Sequence, residues 1–432
     1  MLKSRPIDWD AAYAGRADRM RASEIRELLK LLEQPDIISF AGGIPDPELF
    51  PTSAISDAYT ATLTGPSGTR SLQYSVSEGY PPLRRWIVGL MARLGVSCGI
   101  DNIVITSGSQ QGLDFLGKLL LSAGDTALVA APTYLGALHA FNPYEPRYDV
   151  LRINELDRVN EIDAVQVRYR HAAAAATSRL ALAYVVPDFA NPTGDTLSEA
   201  TRLRLLDLVA GLGVPLIEDA AYSALRFEGE PIRPCLALDI ERCGHIDRSR
   251  VIYCGTFSKT ISPGLRVGWV CAAHDLVQKL VLTKQAGDLH SATLNQVVMH
   301  QVAEAVYDQQ VRTIVAVYAK RRDAMLAALA RHMPDGVSWT RPQGGMFIWI
   351  TLPASLDGAE LLAASVAEER VAFVPGGAFF VDGSGRNTMR LSYSLQSESG
   401  IEEGIRRLGR LIARFISQSA PGSRATASPG RA

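Results

Sequence analysis

The sequence predicts an α/β fold: a mostly parallel sheet with flanking helices, followed by a smaller α+β region. Three observations predict it. Short apolar, β-rich runs alternate with helical patterns through the middle of the chain. Four of those runs are followed at once by loops rich in polar residues. After a mostly helical stretch from His290 to Met333, the pattern changes to isolated strands around "GGMFIWITL", "VAFVPGG" and "MRLSYS".

Taken in order, residues 1–50 read as an N-terminal arm. Within it, "SEIRELLKLLEQ" places Ile25, Leu28, Leu29 and Leu32 on one helical face. Residues 51–300 form the expected large unit. There "NIVIT" is a strand, and "SGSQQGLDFLGKLLLSAG" carries Leu113, Leu116, Leu119 and Leu120 at helical spacing. "DTALVAAP" and "RLALAYVVP" are further strands. The Ala-rich "HAAAAATSR" (171–179) before the second of them reads as a surface helix turn or loop. "SEATRLRLLDLVAGLG" is a helix with Ser198 as N-cap and Gly211 or Gly213 at its end. "VPLIED", "RVIYCG" and "RVGWVCAA" are buried strands. Residues 301–417 form the expected small C-terminal unit, with a helix near 357–369. Residues 418–432 are rich in Ser, Ala, Pro and Gly and read as a disordered tail.

Composition narrows the function classes. The chain has 432 residues, 47% of them hydrophobic, which is enough for two packed units. The formal net charge of −1 points away from nucleic acid and anionic membranes. No run approaches the ~18 apolar residues that span a bilayer, and the N-terminus has no secretory apolar core. Five cysteines (Cys98, Cys235, Cys243, Cys254 and Cys271), with no C-x-x-C pair, fit a reducing compartment. A cytoplasmic location follows as the expectation. The seven histidines show no metal spacing, so no metal site is expected.

The chemistry-bearing residues sit just after strands: "SGSQQ" after "NIVIT", "PDFANPTG" after "LALAYVV", "EDAAY" after "VPLI", and "TFSK" after "VIYCG". In open α/β sheets, ligands bind beyond the carboxyl ends of the strands. Ser107, Gly108 and Ser109 at a helix start can receive an anion through free N–H groups, and Ser258 and Arg266 can add a hydroxyl and a guanidinium. An ordinary N-cap would leave the same serines. "GLDFLGKL" (112–119) is a P-loop decoy: Leu119 stands where Ser or Thr must bind magnesium. Lys259, set among small residues after an apolar strand, suits an amine that must lose its proton. Asp219 can pair with a pyridinium nitrogen, or cap a helix. Asn191 and Tyr222 can bind a ring oxygen.

These motifs, in this order, resemble the fold type I aminotransferases of class I/II. The resemblance rests on "SGSQQ", "APTYLGA", "NPTGDTLS", "EDAAY", "FSKTISPGLRVGW" and "RLSYS", and covers roughly residues 15–415. "SFAGGIPDPELFP", "LQYSVSEGYPPLR", "KQAGDLHSATLNQ" and "PQGGMFIWI" are similar to the 2-aminoadipate and kynurenine branch. The resemblance implies the fold type I architecture and pyridoxal 5′-phosphate (PLP) as cofactor. It makes Lys259, Asp219 and Tyr134 the catalytic set, with Tyr134 stacked on the ring. Gly108, Ser109, Gln110, Thr256, Ser258 and Arg266 would hold the phosphate, and Asn191 and Tyr222 the phenolic oxygen. Arg390 would clamp the substrate carboxylate beside the backbone of Gly43 and near Asn191. Tyr74 would reach the site of a neighbouring subunit, which implies a homodimer.

Arg26 raises a separate expectation. It follows Ser23 in the first turn of the N-terminal helix, where the helix dipole disfavours a cation. A distal substrate carboxylate would resolve that mismatch, and so would simple solvation. The expected reaction moves an α-amino group from 2-aminoadipate, glutamate, or an aromatic or branched-chain amino acid to a 2-oxo acid such as 2-oxoglutarate. Two rivals remain: another PLP reaction on the same fold (racemisation, C–S lysis or decarboxylation), and the aminotransferase-like half of a transcription regulator. About 40 residues precede "SFAGG", without a helix-turn-helix pattern, which disfavours the second rival.

Overall fold

The structure is a computed structural model that describes residues 7–20, 36–66, 68–156 and 162–419. Its strands are β1 (Ile38–Ser39), β2 (Ile103–Thr106), β3 (Thr126–Val129), β4 (Arg147–Val150), β5 (Leu180–Val185), β6 (Leu216–Asp219), β7 (Val251–Thr256), β8 (Gly268–Cys271), β9 (Ser338–Trp339), β10 (Phe347–Thr351), β11 (Val371–Ala372), β12 (Val374–Pro375) and β13 (Thr388–Ser392). Seven of them form one sheet in the order β2-β8-β7-β6-β5-β3-β4. Only β8 runs antiparallel to its neighbours. The mostly parallel α/β sheet expected from the alternating pattern is therefore present.

Both faces of this sheet are covered. Ile103, Ile105, Leu216 and Val251 pack into one apolar cluster, and Val104, Ala127, Leu182 and Ile252 into a second. Alternate residues of each strand thus feed opposite layers, which is why these strands read as unbroken apolar runs. Each fully buried Leu, Ile or Val contributes roughly 1.5–3 kcal/mol. A third cluster, with Phe40, Phe347, Phe373 and Leu391, surrounds the four-stranded sheet β12-β13-β10-β9. The helix Thr293–His332 is 40 residues long and carries the chain from the first layer system to the second, so the expected division at 300/301 falls inside it. β1 pairs in parallel with β11, which lays Phe40–Gly43 beside the smaller sheet.

Local signals explain several element ends. Ser198 Oγ accepts the N–H of Thr201 at 3.1 Å and caps the helix Glu199–Leu212, and Gly213 ends it at φ +74°. A cap of this kind stabilises a helix by about 1 kcal/mol. Three expectations change. The Ala-rich insertion is not a separate feature: its first residues complete the helix Ile162–Ala175, because alanine favours helix. Gln418 and Ser419 belong to the helix Glu398–Ser419, whose buried face includes Ile401, Ile405, Leu408 and Ile412. β4 and β9 have no counterpart among the expected strands, since their half-exposed sequences, RYDV and SW, carry no apolar run. The expected N-terminal helix, with Ser23 and Arg26, lies outside the described residues, as does 420–432.

Candidate active site

A cleft opens at the carboxyl ends of the large sheet. Ser109, Gln110, Tyr134, Asp219, Tyr222, Thr256, Ser258, Lys259 and Arg266 line it. The loops after β2, β3, β6 and β7 deliver these residues, because parallel strands present all their carboxyl ends on one rim.

Lys259 follows β7. Its Nζ donates to the carbonyl of Gly43 at 3.2 Å and lies 5.9 Å from the centre of the Tyr222 ring. Loss of hydration, with the guanidinium groups of Arg390 and Arg266, lowers its pKa to about 8 against the pull of Asp219. The amine thus gives up its proton more readily than an ordinary lysine and is mostly neutral only above about pH 8.

Asp219 closes β6 and is fully buried. Tyr184, in β5, donates its hydroxyl to Oδ2 at 2.8 Å. Oδ1 is buried with no hydrogen-bond partner in the protein. Burial raises the carboxyl pKa to about 6, while the Tyr184 hydroxyl and the Ala221 N–H hold it down. A buried, half-paired carboxylate is costly unless a donor completes it.

Asn191 and Tyr222 form the next wall. Asn191 Nδ2 donates to the Tyr222 hydroxyl at 3.3 Å, and burial pushes that phenol well above its ordinary range. Asn191 Oδ1 accepts Nη1 of Arg390 at 2.8 Å. Arg390 Nη2 donates to the carbonyl of Ala41 at 2.8 Å, and Nε is buried without a partner. Phe347 and Phe379 flank the guanidinium, with ring centres 4.4 and 5.4 Å from Cζ. Desolvation lowers the Arg390 pKa to about 10, so the group stays cationic at neutral pH. Gly43 sits between Arg390 and Lys259: a Cβ there would come within 3.1 Å of Phe347 and 3.5 Å of Arg390 Nη2. A side chain there would crowd this gap and press on the Phe347 ring.

The opposite end of the cleft is built for an anion. The helix Ser109–Leu120 starts here, and Gly108 precedes it at φ +80°. The positive φ favours glycine, and a Cβ on Gly108 would lie 2.5 Å from Arg266 Nη2 and push the guanidinium out of place. Arg266 itself holds φ +53°, a region disfavoured for any side chain. Its Nη1 donates to Pro263 O at 3.1 Å and its Nη2 to Ser107 O at 3.2 Å. Thr256 Oγ1 donates to Ser258 Oγ at 2.9 Å, and Gln110 Nε2 to Gly136 O at 2.6 Å. N–H groups at a helix start, a guanidinium and hydroxyls suit a phosphate. At Ser107 the N–H donates to Gln111 Oε1 at 2.8 Å and the hydroxyl lies 3.0 Å from that of Ser291, so both are engaged within the protein. Burial and the Asp219 carboxylate raise the Tyr134 pKa to about 12 against the pull of Arg390 and Arg266.

A family model described as "Aminotransferase class I and II" matches residues 54–408. A 2-aminoadipate transaminase of Thermus thermophilus is 42% identical over 94% of this chain and 98% of its own length. The chain belongs to the class I and II aminotransferases.

It is a PLP-dependent transaminase. Aromatic-amino-acid aminotransferase 1 of Thermococcus litoralis is 40% identical over 95% of this chain and 96% of its own length. A solved α-aminoadipate aminotransferase from Thermus thermophilus, complexed with N-(5′-phosphopyridoxyl)-L-leucine, superposes with a TM-score of 0.85. It is 39% identical and covers 95% of this chain and 100% of its own.

The residues of this aminotransferase fit the cofactor. The orphaned Oδ1 of Asp219 needs a donor, and a protonated pyridine nitrogen is one. The glycine-lined, cationic end suits the phosphate. Tyr74 is not among the cleft residues: it is 80% exposed, its ring edge-on to His290 at 5.9 Å. Among the described residues no His, Cys, Asp and Glu cluster could hold a metal, and no described helix is long and apolar enough to cross a membrane.

Sequence reasoning missed Tyr184, the Ala41 carbonyl, and the aromatic pair around Arg390. A phenol inside the apolar run "LALAYVV" was a signal for Tyr184, because a buried tyrosine hydroxyl needs a partner. Nothing local marks Ala41, Phe347 or Phe379.

Proposed function

We propose that this transaminase takes α-amino acids with an acidic, aromatic or branched side chain and passes the amino group to a 2-oxo acid such as 2-oxoglutarate. One observation carries the α-amino-acid part. Gly43 separates the Lys259 amine, whose hold on its proton is weakened, from the cationic fork of Arg390, whose Nε has no partner. An α-amino acid carries both an amino group and a carboxylate, which an amine and a guanidinium on either side of one glycine suit. The choice of side chains rests on the relatives named above.

When bound, PLP supplies an electron sink that loosens the bond between Cα and its hydrogen. In our reading Asp219 Oδ1 keeps the ring nitrogen protonated, with Tyr184 holding the carboxylate in place. Asn191 and Tyr222 would bind the ring oxygen, and Tyr134 would stack on the ring. Arg266, Ser258, Thr256, Ser109, Gln110 and the backbone at Gly108 would hold the phosphate. Lys259 would hold the cofactor until the substrate amine takes its place, and its freed amine would then take the proton from the substrate Cα. Neutrality near pH 8 makes it competent for this. Arg390 fixes the α-carboxylate so that the Cα proton faces the amine.

Arg26 is our candidate for binding a distal carboxylate, with Ser23 beside it. Tyr74, with exposed Leu72 and Val76, supports pairing with a second copy whose phosphate end Tyr74 would complete. The division into an N-terminal arm (1–50), a large unit (51–300) and a small unit (301–417) and a cytoplasmic location belong to the same reading.

Titration of the PLP-loaded protein with 2-aminoadipate, kynurenine and leucine, followed by absorbance, tests it. Bleaching of the visible band, with transfer of the amino group to 2-oxoglutarate, supports it; a band that none of the three changes sinks the proposed substrate range. Arg26→Ala should raise KM for 2-aminoadipate and leave that for leucine alone. Equal effects on both remove Arg26 from the site.

A further inference from the structure

A second buried lysine lies behind the anion end of the cleft. Lys284, in the helix His274–Gly287, has a side chain with 0% exposure. Its Nζ donates to Gln111 Oε1 at 3.0 Å, to both oxygens of Asp288 at 3.0 Å, and to Ser291 Oγ at 2.9 Å. An ammonium has three protons, and three acceptor groups meet it. Burying a cation so completely is unfavourable unless it is paired and every proton is bonded, as here.

That geometry converges on Ser107. Gln111 Oε1, which Lys284 holds, also accepts the N–H of Ser107 at 2.8 Å. Gln111 Nε2 donates to Asp288 Oδ2 at 2.7 Å. Ser291 Oγ, also held by Lys284, lies 3.0 Å from Ser107 Oγ. Both the backbone N–H and the hydroxyl of Ser107 are thus clamped by groups tied to one ammonium. The remaining polar atom of Ser107, its carbonyl oxygen, accepts Arg266 Nη2. Gly108 and the helix start at Ser109 come next in the chain.

We infer that Lys284 is a positioning residue for the phosphate end: through Gln111, Asp288 and Ser291 it fixes Ser107, and through Ser107 it fixes Arg266 and the first N–H groups of the helix. The inference rests on the phosphate reading given above. A lysine that merely stabilised this corner would affect every ligand of the cleft alike. A lysine that orders the phosphate end affects only ligands that carry a phosphate.

The experiment compares PLP with pyridoxal, which lacks the phosphate, on the cofactor-free full chain. Affinities are read from the absorbance of the bound chromophore for the wild type, Lys284→Met and Gln111→Leu. Lys284→Met should weaken PLP by about tenfold, the scale of one charge-assisted hydrogen bond, and leave pyridoxal within about twofold. Gln111→Leu keeps the Lys284–Asp288 pair and frees the N–H of Ser107. It should show the same selective loss, and it carries the test if Lys284→Met does not fold. Equal weakening of both ligands, or an unchanged ratio between them, overturns the inference. A wild type that binds pyridoxal as tightly as PLP overturns the phosphate reading itself, and the inference with it.

Discussion

Lys259 has a single hydrogen bond, to the carbonyl of Gly43, whereas Lys284 meets three acceptor groups, one of them a carboxylate. Lys259 borders the cleft and is only half-buried, whereas Lys284 is sealed. Desolvation lowers the pKa of both. At Lys259 the neighbours that matter most are cations, Arg390 and Arg266, which add to the lowering. At Lys284 the neighbour is Asp288, which opposes it. The difference teaches that partners decide the role of a buried lysine more than burial does. An amine among cations with one weak acceptor is ready to give up its proton. An ammonium with every proton bonded is a fixed strut.

The sharpest way to break this contrast is to remove the reactive amine. Lys259→Ala should lower transamination by about 10³-fold or more in single-turnover measurements. Activity within tenfold of the wild type would deny Lys259 its role. Next in size is Asp219→Ala, which takes away the carboxylate with the orphaned oxygen. The kcat should fall by about 10²-fold, the scale of one preorganised electrostatic contact. An unchanged kcat would mean that Asp219 Oδ1 faces nothing in the working enzyme.

Arg390→Met tests both ends of the comparison. It should raise KM for amino acids by about tenfold or more, because the bidentate fork is lost. It should also shift the titration of Lys259 upward, since a cation that lowers it is gone. In the wild type, Lys259 is protonated below about pH 8 and neutral above it. The rate of PLP uptake by the cofactor-free protein should therefore rise with pH and level off above about 8, where an ordinary lysine would keep rising toward 10.5. In the variant the plateau should move to higher pH, and a plateau that stays put would assign the lowering to desolvation and Arg266. The smallest effect belongs to Tyr184→Phe, which removes one hydrogen bond to Asp219, worth about 1 kcal/mol. A fall in kcat below tenfold is expected. A fall as large as that of Asp219→Ala would show that the tyrosine hydroxyl sets the charge of the carboxylate.

Much of the cleft was legible in the chain. Lys259, Asp219, Tyr222 and Asn191 each follow a recognisable apolar strand, and a parallel sheet brings such ends to one rim whatever the details of packing. The anion end was partly legible: Gly108 and Ser109 stand at the helix start as expected, whereas the N–H and hydroxyl of Ser107 are engaged with Gln111 and Ser291. The strand β4 was not legible, because an edge strand needs no apolar run. Lys284 was invisible for another reason. In "KLVLTKQAG" it looks like any lysine of an amphipathic helix.

The sequence by itself determined the periodicities, the strand ends and the order of the polar loops, because these depend on residues within one turn or one strand of each other. Only the tertiary structure decided which distant groups meet. Arg390 finds Asn191 across 199 residues, Lys259 finds Gly43 across 216, and Lys284 finds Gln111 across 173. Such pairs are set by how the layers pack, and packing is a property of the whole core, not of any stretch of the chain.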